Sequence, residues 1–364
     1  MSAPAVDLVT IPMVDVREGG AVRHAIDGCA RARALGEDCL TWLLPPARMV
    51  LPLMDGISRR WLQRSQSPYI GDVKAIAEAL GFPGIWFLNS SYQWCCTSLA
   101  REEGGRPWLV RTLDWPFPGL GRRVEIARMR APAGEFLNVT WPGYAGVLTA
   151  LAPGRFAVAL NQAPLWRRTN HPWLRPYDLA ANALRTWPIR FAPPDHALRE
   201  VFETCRDYGE AKHRLETVPI ARPAIFTLVG CTRGERCVIE RTEQEFSSRS
   251  EETAAANDWL CSTAPWEARV GATMLWTSSS AEAAACSRAR REALAVWQEP
   301  LARENFAWVV PPVLNPFTRI AVAMCPADQT LRVLGYERED GELPRPVTRL
   351  CEVTAVAAQV SSVL

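Results

Sequence analysis

Residues 96–114, "CTSLAREEGGRPWLVRTLD", hold two apolar runs separated by Gly104-Gly105. Two runs of strand-forming residues joined by a glycine pair read as an antiparallel hairpin. The same texture recurs down the chain. "VEIARMRA" reads as a strand, and "GYAGVLTALAPGRFAVALNQ" as two strands joined at Ala152-Pro153-Gly154. "AIFTLVGCTRGERCVIERT" is a hairpin with Arg233-Gly234-Glu235 at its tip, and "TRIAVAMCPADQTLRVLGYE" is another. Helical spacing of apolar residues marks "YDLAANALRTW", "ALREVFETCRDYGEAKHRLETV" and "SSAEAAACSRARREALAVWQ". The first ninety residues read as mostly helical, in "GAVRHAIDGCARARALGEDCLTWL" and after Pro68, where Asp72 is a plausible N-terminal residue. Strands and helices in this order predict packed sheets flanked by helices, an α+β architecture.

Charge and cysteine usage narrow the function. The 364 residues carry 41 Lys and Arg against 39 Asp and Glu, a formal net charge of +2. Balanced charge argues against a surface that tracks phosphates, so no nucleic acid partner is expected. Eleven cysteines are scattered, Cys231 and Cys237 fit no common zinc spacing, and the four histidines form no cluster. No metal and no cofactor is therefore expected. The N-terminus shows no basic region followed by an apolar one. The apolar run "CLTWLLPPARMVLPLM" is interrupted by Pro45, Pro46 and Arg48, too broken to span a bilayer. The expectation is a cytoplasmic chain with reduced thiols.

The chemistry concentrates around Cys95 and Cys96, which lead into a hairpin that returns Arg111 and Asp114. Paired cysteines in a strand can simply pack. Arg and Asp are costly to bury unless paired, which weights the stretch toward a site. Arg111 and Asp114 are an odd number of positions apart, so strict alternation puts them on opposite faces unless a twist or bulge near Pro116 intervenes or the strand ends at Leu113. A nucleophilic cysteine needs a base. His171 or His196 could supply one from elsewhere in the fold. The alternative is the α-amine freed when the preceding bond is cut, with an intrinsic pKa of about 7.7–8.0.

The stretch "CTSLAREEGGRPWLVRTLDW" resembles the start of the mature catalytic chain in the cholylglycine-hydrolase and acid-ceramidase group of N-terminal-nucleophile cysteine amidohydrolases, which includes N-acylethanolamine acid amidase. "GIWFLNSSYQWCCTS" resembles the strand-like lead-in of that group. "GYAGVLTALAPGRFAVALNQ", "AAANDWL" and "CSRARREAL" resemble later motifs in the same order. The resemblance implies a four-layer αββα fold with a helical N-terminal segment, 1–95, released as a small chain, and a catalytic region, 96–364. It implies self-cleavage between Cys95 and Cys96, and hydrolysis of N-acyl amides through an acyl-thioester on Cys96. An acyltransferase and a non-catalytic lipid-binding relative are the alternatives. By position, Arg111 would lower the thiol's pKa, Asp114 would hold the α-amine, Asn257 would serve the oxyanion, and Arg288 would orient Asp114, with Arg291 as the fallback. Asn161 and Gln162 would lie at the substrate cleft; Gln162 departs from the acidic residue common at that position, which bears on the head group. Trp42, Leu43, Leu44, Leu51, Leu53, Trp61 and Leu62 could wall an acyl groove, favouring fatty N-acylethanolamine- or ceramide-like substrates and a transient membrane contact.

Overall fold

Gly104 and Gly105 adopt φ of 58° and 77°, the left-handed conformations that a two-residue hairpin turn demands and glycine supplies at little cost. The turn joins β2 (Cys95–Glu103) to β3 (Arg106–Asp114), antiparallel, with Cys96 opposite Leu113 and Ser98 opposite Arg111. The computed structural model describes residues 8–41, 45–92, 94–166, 168–169, 171–261, 280–301, 305–338 and 343–354.

Two sheets are built from the described residues. In the first the order is β1 (Met13–Asp15), β4 (Glu125–Ala131), β5 (Gly134–Thr140), β6 (Thr149–Ala152), β7 (Phe156–Gln162), β8 (Ala224–Val229), β9 (Arg236–Arg241) and β10 (Phe246–Arg249). All neighbours there are antiparallel except β1 and β4. The second sheet runs β11 (Ala254–Ala255), β2, β3, β12 (Thr318–Cys325), β13 (Thr330–Glu337) and β14 (Arg345–Pro346), with β15 (Cys351–Val353) also against β13. Strands β2 and β3 stack on β7 and β8, so the sheets face each other. Alternation divides β2 and β3 between two cores. Cys96, Ala100, Leu109 and Leu113 join the inter-sheet core, while Leu99, Trp108 and Val110 join Leu294 and Trp308 on the outer side.

Helices close both outer faces. α7 (Pro194–Thr204) and α8 (Tyr208–Thr217) pack on the first sheet, and α9 (Ser280–Ala295) packs on β2 and β11. The result is the four-layer αββα arrangement. The N-terminal part supplies α1 (Gly20–Asp27), α2 (Cys29–Thr41), α3 (Pro45–Leu62), α4 (Ile70–Leu80) and α5 (Ile85–Ser90); α6 (Arg175–Thr186) follows β7. This part shares the inter-sheet core and is also tied electrostatically. The buried Glu125 carboxylate of β4 is bonded by His24 Nε2 at 2.8 Å and Arg31 Nε at 2.5 Å.

The structure corrects several local expectations. The single helix over 197–218 is two, because Cys205 turns extended and Asp207 caps a new start, accepting from the Glu210 amide at 2.9 Å. The lead-in to Cys95 is not a strand throughout: α5 occupies Ile85–Ser90 before the chain extends. Asp72 lies in the first turn of α4, with Tyr69 at the cap. α3 forms despite its prolines; Pro45 and Pro46 fall in the first turn, where no amide bond is lost.

Candidate active site

Cys96, Arg111 and Asn257 converge at the start of β2. The Arg111 Nη2 donates to the Cys96 thiol at 2.8 Å and to the Leu160 carbonyl at 3.3 Å. Its Nη1 donates to Thr149 Oγ1. Arg111 is fully buried, and among the described residues no carboxylate forms an ion pair with it. A buried cation whose partners are a hydroxyl, a carbonyl and a thiol favours the charged form of the one partner that can ionise. Burial nevertheless dominates in the uncut chain and pushes the Cys96 thiol up to about 11; Arg111 pulls it down, and Asp114 and Cys95 push it further up.

Asp114 lies on the other face of β3, as strict alternation predicts, paired in register with Cys95. The irregularity is in the neighbouring strand, where the pairing shifts between Thr318 and Ile320. The fully buried carboxylate accepts from Thr318 Oγ1 at 2.9 Å, Asn315 Nδ2 at 2.7 Å and Arg290 Nη1 at 2.9 Å. Burial pushes its pKa up, against the pull of Arg290, Asn315 and Thr318. Asp114 reaches Cys96 through a relay. Arg290 Nη2 donates to Asn257 Oδ1 at 2.9 Å, and that oxygen also accepts the Cys96 amide at 2.9 Å.

Arg290 therefore holds the place assigned to Arg288. The buried residues of α9 are Ala283, Ala284, Ser287, Arg290 and Leu294, a stripe at helical spacing that faces the sheet. Arg288 projects to the side and is half-buried. Arg291, the fallback, pairs instead with Asp258, Nε to Oδ2 2.9 Å. Ser287 braces the same strand: its Oγ accepts the Asn257 amide at 2.8 Å and donates to Asp258 Oδ1 at 2.7 Å. Helical spacing would have singled out Arg290 and Ser287. Thr149, Asn315 and Thr318 gave no local signal, since each acts across a long separation in sequence.

Asn161 and Gln162 are fully buried struts in this structure. Asn161 Nδ2 donates to Ser98 Oγ at 2.9 Å and to the Ala256 carbonyl at 3.2 Å. Gln162 Oε1 accepts the Trp94 amide at 2.9 Å, and its backbone carbonyl accepts Asn257 Nδ2 at 2.7 Å. Among the described residues, those expected to wall an acyl groove do not share one environment. Trp61 and Leu62 are core, Leu53 is 63% exposed, and Trp42, Leu43 and Leu44 lie outside the described residues. The two histidines considered as bases are engaged elsewhere: His196 bonds Ser67 at 2.7 Å, and His171 stacks on Trp173.

Cys95 and Cys96 are both buried. Tyr92, Trp94, Trp115 and Trp141 form a chain of edge and tilted ring contacts, 5.1, 5.4 and 6.1 Å between successive centroids. A buried thiol, a guanidinium and an amide side chain are thus assembled beside a peptide bond whose two cysteines are both buried among the described residues. That geometry suits attack on the chain's own backbone first.

No family model matches the chain. It is similar to a probable acid ceramidase of Caenorhabditis elegans, 24% identical over 215 residues, which cover 53% of this chain and 52% of that protein. It is also similar to the N-acylethanolamine-hydrolyzing acid amidase of Rattus norvegicus, 21% identical over 245 residues, covering 65% and 61%. A solved structure of a Caenorhabditis elegans N-acylethanolamine-hydrolyzing acid amidase ortholog aligns with a TM-score of 0.44 and 18% identity, covering 64% of this chain and 93% of that one. The match spans about half of the first curated relative and three fifths of the second. These relatives are of the group that the motifs around Cys96 resemble.

Proposed function

We propose that the chain is a cysteine amidohydrolase that cuts its own Cys95–Cys96 bond and then hydrolyses N-acyl amides. One observation carries the reading: the buried Arg111 guanidinium, with no paired carboxylate among the described residues, donates to the Cys96 thiol at 2.8 Å. In the uncut chain the Cys96 sulfur adds to the Cys95 carbonyl carbon. The C–N bond breaks, the nitrogen takes up a proton to become the Cys96 α-amine, and Cys95 is left as a thioester. Water hydrolyses that ester, giving a Cys95 carboxylate and a free thiol. The new amine then accepts the thiol proton in each later turnover. Arg111 stabilises the thiolate, and Asp114 acts through Arg290 and Asn257 to hold the amine. Asn257 Nδ2, now on the Gln162 carbonyl, is the candidate donor to the oxyanion; one such donor is typically worth ~10²–10³ in rate.

The surface suits a lipid amide. Met49, Val50, Leu53, Met54 and Ile57 form an exposed apolar stripe on α3, Met49 at 83% exposure, with exposed Arg59 and Arg60 one turn on. Such a helix face fits brief contact with a membrane surface. Among the described residues no helix is long and apolar enough to cross one. The test is release of laurate from N-lauroylethanolamine and from N-lauroylsphingosine by the purified two-chain protein. Release that disappears in Cys96→Ser supports the reading. A Cys96-independent release, or none from any acyl length between acetyl and palmitoyl, overturns it.

A further inference from the structure

Arg222 stands two residues before β8, whose first residue, Ala224, pairs with Gln162. Its guanidinium lies over the Trp61 ring at 4.5 Å and the Tyr92 ring at 5.5 Å, and Nη1 donates to the Ser90 carbonyl at 2.8 Å. Among the described residues no carboxylate forms an ion pair with it. Four other arginines packed into the fold differ. Arg290 and Arg291 have carboxylates, and Arg241 and Arg155 each satisfy three backbone carbonyls. Arg222 has one carbonyl and two aromatic faces.

Every one of those partners belongs to the segment that ends at the scissile bond. Tyr92 is three residues before Cys95. Its hydroxyl donates to the Pro223 carbonyl. Trp94, in ring contact with Tyr92, hangs its amide on Gln162. Ser90 and Tyr92 thus lie on Arg222, and Trp94 on Gln162, two residues from Leu160, whose carbonyl the Cys96 thiol approaches at 3.8 Å. Cutting the Cys95–Cys96 bond removes their covalent anchor at the site. When they withdraw, Arg222 loses Ser90 and Tyr92 but keeps Trp61 to orient its plane. A planar guanidinium held on one face offers its N–H edge as a fork, the geometry that matches a carboxylate. Gln162, beside it, is neutral and does not repel an anion.

We infer that Arg222 is a carboxylate anchor of the opened site, so that the preferred substrates are N-acyl amides bearing a carboxylate. This rests on the amidohydrolase reading. The carboxylate could be on the amine part, as in an N-acyl amino acid, or at the far end of the acyl part, as in the monoamide of a dicarboxylic acid.

Three probes separate these: N-lauroylglycine, the monoethanolamide of dodecanedioic acid, and the uncharged N-lauroylethanolamine. Thermal shifts on the two-chain protein read binding without turnover, and kcat/KM reads the reaction. One carboxylate probe should exceed the uncharged one by about tenfold or more, the scale of a charge-assisted hydrogen bond. The probe that does so identifies the side. Arg222→Gln should erase that preference through KM, and Arg222→Lys should keep part of it. If Arg222 only clasps the N-terminal segment, its variants would release the small chain in native mass spectra and leave the probe ratio untouched, which overturns the inference. Equal handling of all three probes by the wild type also overturns it. If no probe is turned over, the amidohydrolase reading fails, and the binding shifts of wild type against Arg222→Lys still decide the anchor.

Discussion

Replacing Arg290 with methionine keeps side-chain volume and helix propensity but removes the only ion-pair partner recorded for Asp114 among the described residues. Asp114 would keep two neutral donors, Asn315 and Thr318, around a fully buried carboxylate. Breaking a buried pair from one side costs ~3–5 kcal/mol. Asn257 Oδ1 also loses a charged donor, so the Cys96 amide loses its fixed acceptor. The expected result is a protein about 3–5 kcal/mol less stable by urea unfolding and without detectable self-cleavage. The pH dependence has a definite sign. Without Arg290 the folded-state pKa of Asp114 rises further, so the deficit is greatest where the unfolded carboxyl is ionised. It should shrink as pH falls through the raised value and the native state takes up a proton. Arg288→Ala is the control, expected within ~0.5 kcal/mol of wild type as a substitution away from the network. Equal stability and processing for wild type and Arg290→Met, or a larger defect for Arg288→Ala, would refute the relay from Asp114 to Cys96.

Two further outcomes are expected. Arg111→Met should push the Cys96 thiol pKa higher still, shifting the alkaline rise of thiol alkylation in the processed protein upward, whereas Arg111→Lys should shift it less; an unchanged titration would remove Arg111 from thiolate stabilisation. His196 is fully buried, faces Ser67, Asp195 and the edge of Tyr69, with Arg199 and Asp72 beyond, and burial holds its pKa below the usual value of 6.5. The unfolded chain therefore takes up a proton that the native chain refuses, and stability is lost as pH falls below about 6.5, by up to about 1.4 kcal/mol per unit. Urea midpoints at neutral and mildly acidic pH should show that slope in wild type, and a smaller one in His196→Gln.

The hairpins were legible because strand alternation and glycine turns are local signals, and β2–β3, β6–β7, β8–β9 and β12–β13 all form where the apolar runs and turns place them. The break between α7 and α8 was not, because Asp207 looks like any polar residue of a solvated helix until its side chain is seen capping. Cys96, Arg111, Asp114 and Asn257 could be picked out by motif order, and the fold brings them into one network. Motif order points to Arg288, whereas helix geometry decides which of three arginines on α9 faces the sheet. Asn315 and Thr318 reach Asp114 across about two hundred residues, and no single stretch of sequence carries that information.

The central claim is that Cys96 becomes the N-terminus of a separate chain. Intact-mass spectrometry of freshly purified wild type, Cys95→Ala and Cys96→Ala tests it directly. Wild type and Cys95→Ala should each give two chains, the larger beginning at residue 96, while Cys96→Ala should remain whole. A wild-type chain that stays uncut, or a Cys96→Ala protein that is cut at the same bond, would contradict the account.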